Sequence, residues 1–304
     1  MPKPESPSGH PRQLGIVGAG LMGAVLAKLF AAAGWRVRVS DPDQAALDRL
    51  AAGAGAGNRA GAMISGHLEM ATACAAADFV IEAAPEKPPL KQAIFAQLVE
   101  ITRADALLAT NSSVIPVATV AARVDDAHAH RIVGTHFWNP PDLIPLVEVI
   151  QGPRTSLATA EATMRILRAV GKHPVHVRRD VVPGNRLQHA LWREAMALVD
   201  EGVCAPEDVD AIVRNSFGLR LAVLGPLANA DLVGLELTAD IHRVVLPQLS
   251  QATAPSPALL TRLDAGDRGI ASGQGFYSGW TESKVAALRA RLVAHVKSLL
   301  GDSR

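Results

Sequence analysis

The stretch "QLGIVGAGLMGAVLAKLF" at residues 13–30 joins a short apolar run to an Ala- and Leu-rich segment through a glycine-rich turn. The apolar run predicts a β-strand, and the segment after the turn predicts a helix. Gly18, Gly20 and Gly23 lie in the turn. The first glycine permits the tight bend, the second leaves room for a pyrophosphate, and the third lets helix and strand pack closely. Free N–H groups at the helix start attract an anion, so the stretch predicts a dinucleotide site.

An aspartate ends the next predicted strand, "RVRVSD" at residues 36–41. A carboxylate at this place binds the ribose hydroxyls of a dinucleotide. Asp41 lies 23 residues after Gly18, and "SDPD" has no arginine just after it that could receive a 2′-phosphate. The sequence therefore favours NAD over NADP. A plain glycine turn is the alternative, and the order strand, turn, helix, strand argues against it.

Predicted strands and helices alternate through the rest of the first half of the chain. Strands are predicted at 78–86, 106–113, 131–137 and 145–150, helices at 43–52 and 89–102, and a glycine-rich connection at 52–66. Alternation of this kind implies right-handed βαβ crossovers and a largely parallel sheet. After residues 172–184 the pattern becomes almost entirely helical. The last predicted helix repeats one apolar face, formed by Val285, Leu288, Leu292, Val296 and Leu299.

These patterns predict an α/β fold, with a Rossmann-type doubly wound, mostly parallel sheet followed by a smaller all-helical domain. The expected parts are a flexible tail at 1–12, an NAD-binding domain at 13–182, and a helical domain for substrate binding and dimerisation at 183–304. The helical part has much apolar sequence for its size, which a small domain has difficulty burying alone. A homodimer through this domain is therefore expected.

Composition excludes several classes of protein. With 304 residues, 49% hydrophobic and 19% charged, the chain is globular, and a net charge of +1 argues against a nucleic-acid partner. Cys74 and Cys204 lie far apart, so no metal-ligand spacing occurs and a reducing compartment is favoured. The start is polar and no apolar run reaches about 18 residues, so neither a signal peptide nor a membrane segment is expected. The prediction is a cytoplasmic protein.

The stretch "GTHFWNPPDLIPLVEVI" at residues 134–150 carries the candidate chemistry. His136 ends a predicted strand at the carboxyl edge of the sheet, where ligands bind in open α/β folds. Glu148 lies within the apolar "LVEVI", where a charge is costly unless it is paired. Imidazole and carboxylate can satisfy one another, and such a pair suits a general base. A purely structural ion pair is the alternative.

This stretch resembles the His-Phe-x-Asn-Pro segment of the L-3-hydroxyacyl-CoA dehydrogenase superfamily, with the same twelve-residue gap to the glutamate. The resemblance extends from "GIVGAGLMG" to "SGQGFY". The Asn-Pro-Pro sequence and "NRLQHALWREA" look like the branch that acts on small hydroxy acids, which includes gulonate 3-dehydrogenase with its lens-crystallin relative, carnitine dehydrogenase and a pyridine-carboxylate dehydrogenase.

The resemblance implies roles for individual residues. His136 would take the hydroxyl proton, Glu148 would orient and stabilise the imidazolium, and Ser112 would hydrogen-bond the reacting oxygen. Asn185 would complete that site. The implied cofactor contacts are Gly18, Ala19, Gly20, Leu21, Met22, Gly23, Asp41, Glu86, Lys91, Ser112 and Asn139. The reaction implied is NAD-dependent oxidation of a secondary alcohol to a ketone, without a metal.

The sequence departs from the family pattern at two places. Asn185 lies five positions after Asp180 in "DVVPGNR", where the family usually has about seven. Near the end, Ala271 stands where the family often has a lysine before "SGxGFY", so one cofactor contact is expected to be missing.

The connection after Asp41 bears on the substrate. Fatty-acyl members carry a lysine-rich helical pair there, whereas here the only arginines or lysines between residues 42 and 85 are Arg49 and Arg59. A multiply charged CoA ligand needs more cations, so a small hydroxy acid is favoured. Its carboxylate would meet an arginine of the helical part, and the candidates are Arg186, Arg193, Arg214 and Arg220. For any one of them a solvated surface role is the alternative.

Three alternatives remain open. A 3-hydroxyacyl-CoA dehydrogenase acting on thioesters is the first, and a non-catalytic, crystallin-like NAD-binding protein is the second. The third, the 3-hydroxyisobutyrate dehydrogenase group, shares the "GxGxMG" start but uses a lysine in place of the His–Glu pair, and nothing later in the chain resembles it.

Overall fold

The computed structural model describes residues 12–53 and 61–301. The chain divides into two compact units, the first ending at Pro183 and the second beginning at Gly184. Residues 1–11 of the predicted tail lie outside the described residues, and so does Arg59.

The first unit contains an eight-stranded sheet in the order β3-β2-β1-β4-β5-β6-β7-β8. Its strands are β1 (Gln13–Val17), β2 (Arg36–Ser40), β3 (Ile64–His67), β4 (Phe79–Glu82), β5 (Leu107–Thr110), β6 (Ile132–Phe137), β7 (Leu146–Ile150) and β8 (His173–Val177). Strands β1 to β6 are parallel, β7 is antiparallel to β6, and β8 is parallel to β7. The prediction of a mostly parallel sheet is therefore confirmed.

Helices cover both faces of this sheet. They are α1 (Leu21–Ala32), α2 (Gln44–Gly53), α3 (Met70–Cys74), α4 (Pro88–Ile101), α5 (Val117–Val120), α6 (Asp126–Ala129) and α7 (Leu157–Ala169). Side chains of β4 alternate between two apolar clusters, with Phe79 and Ile81 in one and Val80 in the other. Phe30 of α1 belongs to the first cluster and Phe95 of α4 to the second. This arrangement confirms the doubly wound α/β fold.

The prediction of a connection without strands at 52–66 is wrong in its last part. Ile64–His67 forms β3, an edge strand that pairs with β2 after a 3₁₀ turn at Gly61–Met63. The sequence "ISGH" has no apolar alternation, so its conformation comes from backbone pairing rather than from a buried face. Gly66 fits because a Cβ there would lie 3.2 Å from Leu47 of α2, which packs closely over the strand.

The second unit is helical, as predicted. Its helices are α8 (Pro183–Asp200, which starts at the boundary), α9 (Pro206–Asn215), α10 (Pro226–Val233), α11 (Leu235–Val245), α12 (Pro257–Asp264) and α13 (Glu282–Gly301), with 3₁₀ turns at Phe217–Leu219 and Leu246–Gln248. Among its described residues only Val209 and Val285 are buried. On the predicted apolar face of α13, Leu288, Leu292 and Leu299 are exposed. Of the helices described, none has the length and hydropathy to cross a bilayer.

Candidate active site

The three glycines of the turn are required for different reasons. Gly18 has φ +108°, and a Cβ on it would lie 2.7 Å from the carbonyl oxygen of Ala83. A Cβ on Gly23 would lie 1.9 Å from the carbonyl oxygen of Gly18, so the first turn of α1 packs directly on the loop. A Cβ on Gly20 would meet nothing within 4 Å. The protein's own packing therefore demands Gly18 and Gly23, whereas Gly20 leaves open space in front of the helix N-terminus.

Asp41 lies beside this turn at the end of β2. Its Oδ2 accepts a hydrogen bond from the backbone N–H of Ala19 at 2.8 Å, and its Oδ1 accepts one from Asp43 at 2.9 Å. These bonds fix the carboxylate at the rim of a cleft of about 750 Å³. The cleft lies at the carboxyl ends of the parallel strands, where dinucleotides bind in this fold.

The cleft fits a dinucleotide. Several predicted contact residues line it, namely Gly18, Gly20, Leu21, Met22, Asp41, Glu86 and Lys91. The N-terminus of α1 opens onto it without a side-chain cap, so its N–H groups can bind a pyrophosphate. The space in front of Gly20 is where that group would approach the backbone.

Ser112 and Glu86 form a connected pair beside this cleft, which Glu86 and Ser113 line. The Ser112 hydroxyl donates to Glu86 Oε2 at 2.9 Å, and the backbone N–H of Ser113 donates to Glu86 Oε1 at 2.7 Å. Ser112 Oγ also accepts from the N–H of Ile115 at 2.8 Å. The single hydroxyl proton of Ser112 is thus directed at Glu86, and a hydrogen bond to a substrate oxygen requires that proton to turn away.

His136 and Glu148 face one another across neighbouring antiparallel strands. They are register partners in β6 and β7, and His136 Nδ1 lies 2.7 Å from Glu148 Oε2. Their side chains are only 5% and 4% exposed. An ionised carboxylate only accepts hydrogen bonds. In this pair a neutral imidazole therefore carries its proton on Nδ1 and its lone pair on Nε2.

Trp138 also binds this carboxylate, and the sequence did not single it out. Its indole Nε1–H donates to Glu148 Oε2 at 3.2 Å, the same oxygen that meets His136. The indole and imidazole ring centroids are 5.3 Å apart. A tryptophan two residues after the histidine returns to the same side of the strand, which is the signal that would have indicated this contact.

Lys172 holds the loop that follows His136. The loop begins at Asn139, which is exposed, and Lys172 Nζ donates to the carbonyl oxygens of Pro141 and Ile144. Burial lowers the pKa of Lys172, and the negative charge of Asp142 opposes that shift. Lys172, directly before β8, therefore holds the loop that carries Asn139 in place.

Asn185 lies at the start of the helical unit, and Asp180 lies near the end of the first unit. Asn185 is half-buried in the first turn of α8. Asp180 has a structural explanation, because its two carboxylate oxygens accept from the N–H groups of Val117 and Ala118 at 2.7 Å each. The aspartate of "DVVPGN" therefore caps α5 within the first unit.

Glu82 is a second residue that the sequence did not single out. It ends β4, is fully buried, and accepts from Lys91 Nζ at 2.7 Å. Lys91, predicted as a cofactor contact, is 1% exposed and lines the cleft. A glutamate directly after the apolar run "FVI" was the available signal, because a charge at a buried strand end needs a partner.

A doubly wound sheet whose glycine turn and imidazole–carboxylate pair share one edge is the arrangement of a nicotinamide-dependent dehydrogenase. Residues 13–181 match the model described as 3-hydroxyacyl-CoA dehydrogenase, NAD binding domain. Residues 183–279 match the model of the C-terminal domain of the same family. The chain belongs to the 3-hydroxyacyl-CoA dehydrogenase family and is an NAD-dependent dehydrogenase.

Relatives in the family differ in the substrates for which they are named. The chain is 32% identical to 5-formyl-3-hydroxy-2-methylpyridine 4-carboxylate 5-dehydrogenase of Mesorhizobium japonicum, over 95% of this chain and 98% of that protein. It is 35% identical to L-carnitine dehydrogenase of Streptomyces griseus, over 79% of each. It is also 33% identical to a probable 3-hydroxybutyryl-CoA dehydrogenase of Deinococcus radiodurans, over 87% of this chain and 99% of that one.

The fold is also similar to that of a solved structure in this family. The crystal structure of the pyridine-carboxylate 5-dehydrogenase, described as an NAD⁺-dependent dismutase, superposes with a TM-score of 0.86 at 30% identity. The match covers 95% of this chain and 97% of that one. The resemblance to the small hydroxy-acid branch is thus confirmed.

Proposed function

We propose that this dehydrogenase oxidises the secondary alcohol of a small 3-hydroxy acid with a free carboxylate, using His136 and Glu148 as a base pair. The observation that carries the proposal is the buried contact of 2.7 Å between His136 Nδ1 and Glu148 Oε2. With its proton held on Nδ1, the imidazole can accept the substrate's hydroxyl proton at Nε2. Glu148 then stabilises the imidazolium through the same hydrogen bond.

The remaining polar groups orient the reactants. NAD, when bound, supplies the hydride acceptor. Asp41 would hold the adenosine ribose, and Glu86 and Lys91, which also line the cleft, would contact the cofactor. Ser112 would turn its hydroxyl from Glu86 to the reacting oxygen, and Asn185 and Asn139 would complete the site. Each group acts by fixing an orientation before the proton moves to His136.

The small-acid assignment is supported by the composition of the connection after β2 and by the relatives. Among residues 42–53 and 61–85 the only arginine or lysine is Arg49, which is exposed and meets Asp43 at 3.5 Å. A CoA nucleotide would find few cations there. The relatives named for a pyridine carboxylate and for L-carnitine agree with a small substrate. The four candidate arginines of the helical unit, Arg186, Arg193, Arg214 and Arg220, are all exposed, so exposure does not choose among them.

The second candidate function is the oxidation of a 3-hydroxyacyl-CoA thioester, which the relative from Deinococcus radiodurans favours. A panel of substrates separates the two. We expect kcat/KM for gulonate, carnitine or 3-hydroxybutyrate to exceed that for 3-hydroxybutyryl-CoA by at least about tenfold, since the chain collects little binding energy from the nucleotide half of CoA. A preference for the thioester would overturn the substrate class and leave the base pair standing. No NAD reduction with any member would favour a non-catalytic, crystallin-like protein.

We further propose that the chain forms a homodimer through the helical unit. Large apolar side chains of α10 and α11 are strongly exposed, with Leu227 at 83%, Leu232 at 75% and Leu235 at 62%. Large apolar side chains exposed in this number within one small unit are typical of an interaction surface. Light scattering at micromolar concentration should give twice the mass of one chain, and a monomer would refute the proposal.

A cytoplasmic location completes the proposal. It is supported by Cys74 and Cys204, which are both free thiols. Fractionation of the producing cell, with antibody detection, would test it, and recovery outside the cytoplasm would contradict it.

A further inference from the structure

A buried charged group at the end of β4 stands outside the roles assigned above. Glu82 has no exposed surface, and it accepts three hydrogen bonds of 2.7 Å each. The donors are Lys91 Nζ and the backbone N–H of Ala84, both to Oε1, and the hydroxyl of Thr110, to Oε2. One carboxylate therefore joins a strand end, a helix and the neighbouring strand.

Glu82 and Lys91 together fix the loop between Glu82 and Glu86. The backbone N–H of Ala84 donates to Glu82, and its carbonyl oxygen accepts from Lys91 Nζ at 3.1 Å. One residue earlier, the N–H of Ala83 donates to the carbonyl of Val17 at the end of β1. The carbonyl oxygen of Ala83 is the atom that a Cβ on Gly18 would strike, so this loop packs directly against the phosphate-binding turn.

The same carboxylate is connected through Thr110 to Ser112, whose neighbours Asn111 and Ser113 line the cleft. Thr110 Oγ1 donates to Glu82 and accepts from the N–H of Ser112 at 3.2 Å. Ser112 then donates to Glu86 Oε2, which lies 3.7 Å from Lys91 Nζ. These contacts close a ring that runs Glu82, Thr110, Ser112, Glu86, Lys91 and back to Glu82.

A buried ion pair is a weak source of stability, because desolvation offsets most of its Coulomb energy. Each further hydrogen bond of this pair goes to a group that shapes the cleft: the Ala84 backbone and the Thr110 hydroxyl that supports Ser112. We propose that Glu82 is a positioning residue, which sets the geometry of the NAD cleft by holding Lys91 and Thr110 in place. It affects NAD binding and the position of Ser112 through these neighbours, and it contacts neither NAD nor the substrate.

Removal of the Glu82 charge should distort the ring in a definite direction. Among the described residues, Glu82 and Glu86 are the carboxylates within 4.0 Å of Lys91 Nζ. In Glu82→Gln the buried ammonium keeps only Glu86 as a counter-ion, so we expect it to close the gap to Oε2. Glu86 would then be drawn from Ser112, and the single amide oxygen could not accept from both the Ala84 N–H and the Thr110 hydroxyl, which bond to different carboxylate oxygens of Glu82. Displacement of reacting groups by about 1 Å can cost a hundredfold in rate.

The test compares Glu82→Gln with Asp78→Asn in the full-length protein. Asp78 precedes the opposite end of the same strand, where it accepts from the N–H of Gln13 and from Arg103, both at 2.8 Å. Both variants exchange a hydrogen-bonded carboxylate for an amide, so both should lower the melting temperature. For Glu82→Gln we expect the Kd for NAD, from quenching of protein fluorescence, to rise by about tenfold and kcat to fall by about ten- to a hundredfold. Asp78→Asn should leave Kd and kcat within twofold of the parent, a margin of about 0.4 kcal/mol.

A double-mutant cycle separates positioning from general loss of structure. Because Glu82 is held to act through Ser112, the effects of Glu82→Gln and Ser112→Ala on kcat should be less than additive. Where Ser112→Ala itself lowers kcat, additive effects would overturn the proposal, and so would a lowered melting temperature of Glu82→Gln with parental Kd and kcat. If Glu82→Gln does not fold, Thr110→Val takes its place, since it removes one hydrogen bond of the ring and keeps the Glu82–Lys91 ion pair. We then expect a severalfold loss in NAD affinity and in kcat. Parental Kd and kcat for Thr110→Val would overturn the proposal.

The inference rests on the proposed function only for the role of Ser112. If Ser112→Ala alone has parental kcat, the role proposed for Ser112 fails. Glu82 is then judged on the affinity for NAD: a raised Kd in the folded variant supports the inference, and an unchanged Kd overturns it.

Discussion

The two units of the chain differ in which side chains they bury. In the first unit Glu82, Lys91, His136 and Glu148 are all buried, and an apolar core packs on both faces of the sheet. In the second unit only Val209 and Val285 are buried among the described residues, and its large apolar side chains are mostly exposed.

This contrast indicates what each unit needs. The first unit can bury costly charges because its own core is sufficient, and charges are retained where they organise a site. The second unit leaves its apolar faces uncovered within the single chain, and their coverage is expected from a second copy. Substitutions in the first unit should therefore divide into those that break the fold and those that break only ligand binding.

The largest expected effect distinguishes two glycines of one turn. A Cβ on Gly23 would strike the backbone of Gly18 at 1.9 Å, so Gly23→Ala should destabilise the first unit by about 3 kcal/mol or more. A Cβ on Gly20 meets no protein atom, so Gly20→Ala should melt as the parent does and lose NAD affinity by at least about tenfold. Calorimetry and NAD titration check both, and equal stability of the two variants would contradict the contrast.

A smaller effect is expected at Asp41. Its carboxylate is fixed by the N–H groups of Ala19 and Asp43 at the rim of the cleft, where it would repel a 2′-phosphate. The parent should bind NAD at least about tenfold more tightly than NADP, a difference of about 1.4 kcal/mol, and Asp41→Asn should narrow that gap. Equal affinities of the parent for the two dinucleotides, measured by fluorescence, would refute the role of Asp41.

The smallest expected effect is on stability at high pH, through the pKa of Tyr277 in the helical unit. Partial burial, the hydrogen bond of 2.7 Å to Asp210 and the charges of Asp210 and Glu207 raise the pKa of Tyr277 to about 12, against the opposing charge of Arg214. Because the folded pKa lies above the ordinary value of about 10, the contribution to stability is present below pH 10 and is lost as the pH rises through 12. Solvent screening keeps it small.

Tyr277 is the only tyrosine of the chain, so the absorbance of its phenolate reports this group alone. Asp210→Asn should move the titration towards pH 10, and Asp208→Asn, on the same helix, serves as the control. A parent that titrates at about 10 in its folded state would contradict the packing of Tyr277 against α9.

The fold was largely predictable because its signals are local. The strand–turn–helix at Gly18 to Gly23, the mostly parallel sheet and the helical part that follows it were confirmed in the architecture. The strand Ile64–His67 was missed because backbone pairing at a sheet edge leaves no apolar pattern in four residues.

The site was predictable only where a charge interrupts an apolar run. Glu148 met that criterion, and the structure brings it to His136. Glu82 met it too, but its partners Lys91 and Thr110 are nine and 28 residues away, and no local pattern connects them. The Trp138 contact depends on which way an indole N–H points, which a sequence does not specify.

The central claim is that His136 is the base, and His136→Asn tests it most directly. The Asn amide can still donate to Glu148 in place of Nδ1, so the buried carboxylate keeps a partner, while the proton acceptor at Nε2 is removed. With the best substrate of the panel, we expect kcat to fall by about two to four orders of magnitude, with the Kd for NAD and the melting temperature close to those of the parent. A variant that retains near-parental kcat would show that His136 and Glu148 form a structural pair, and the proposed mechanism would be wrong.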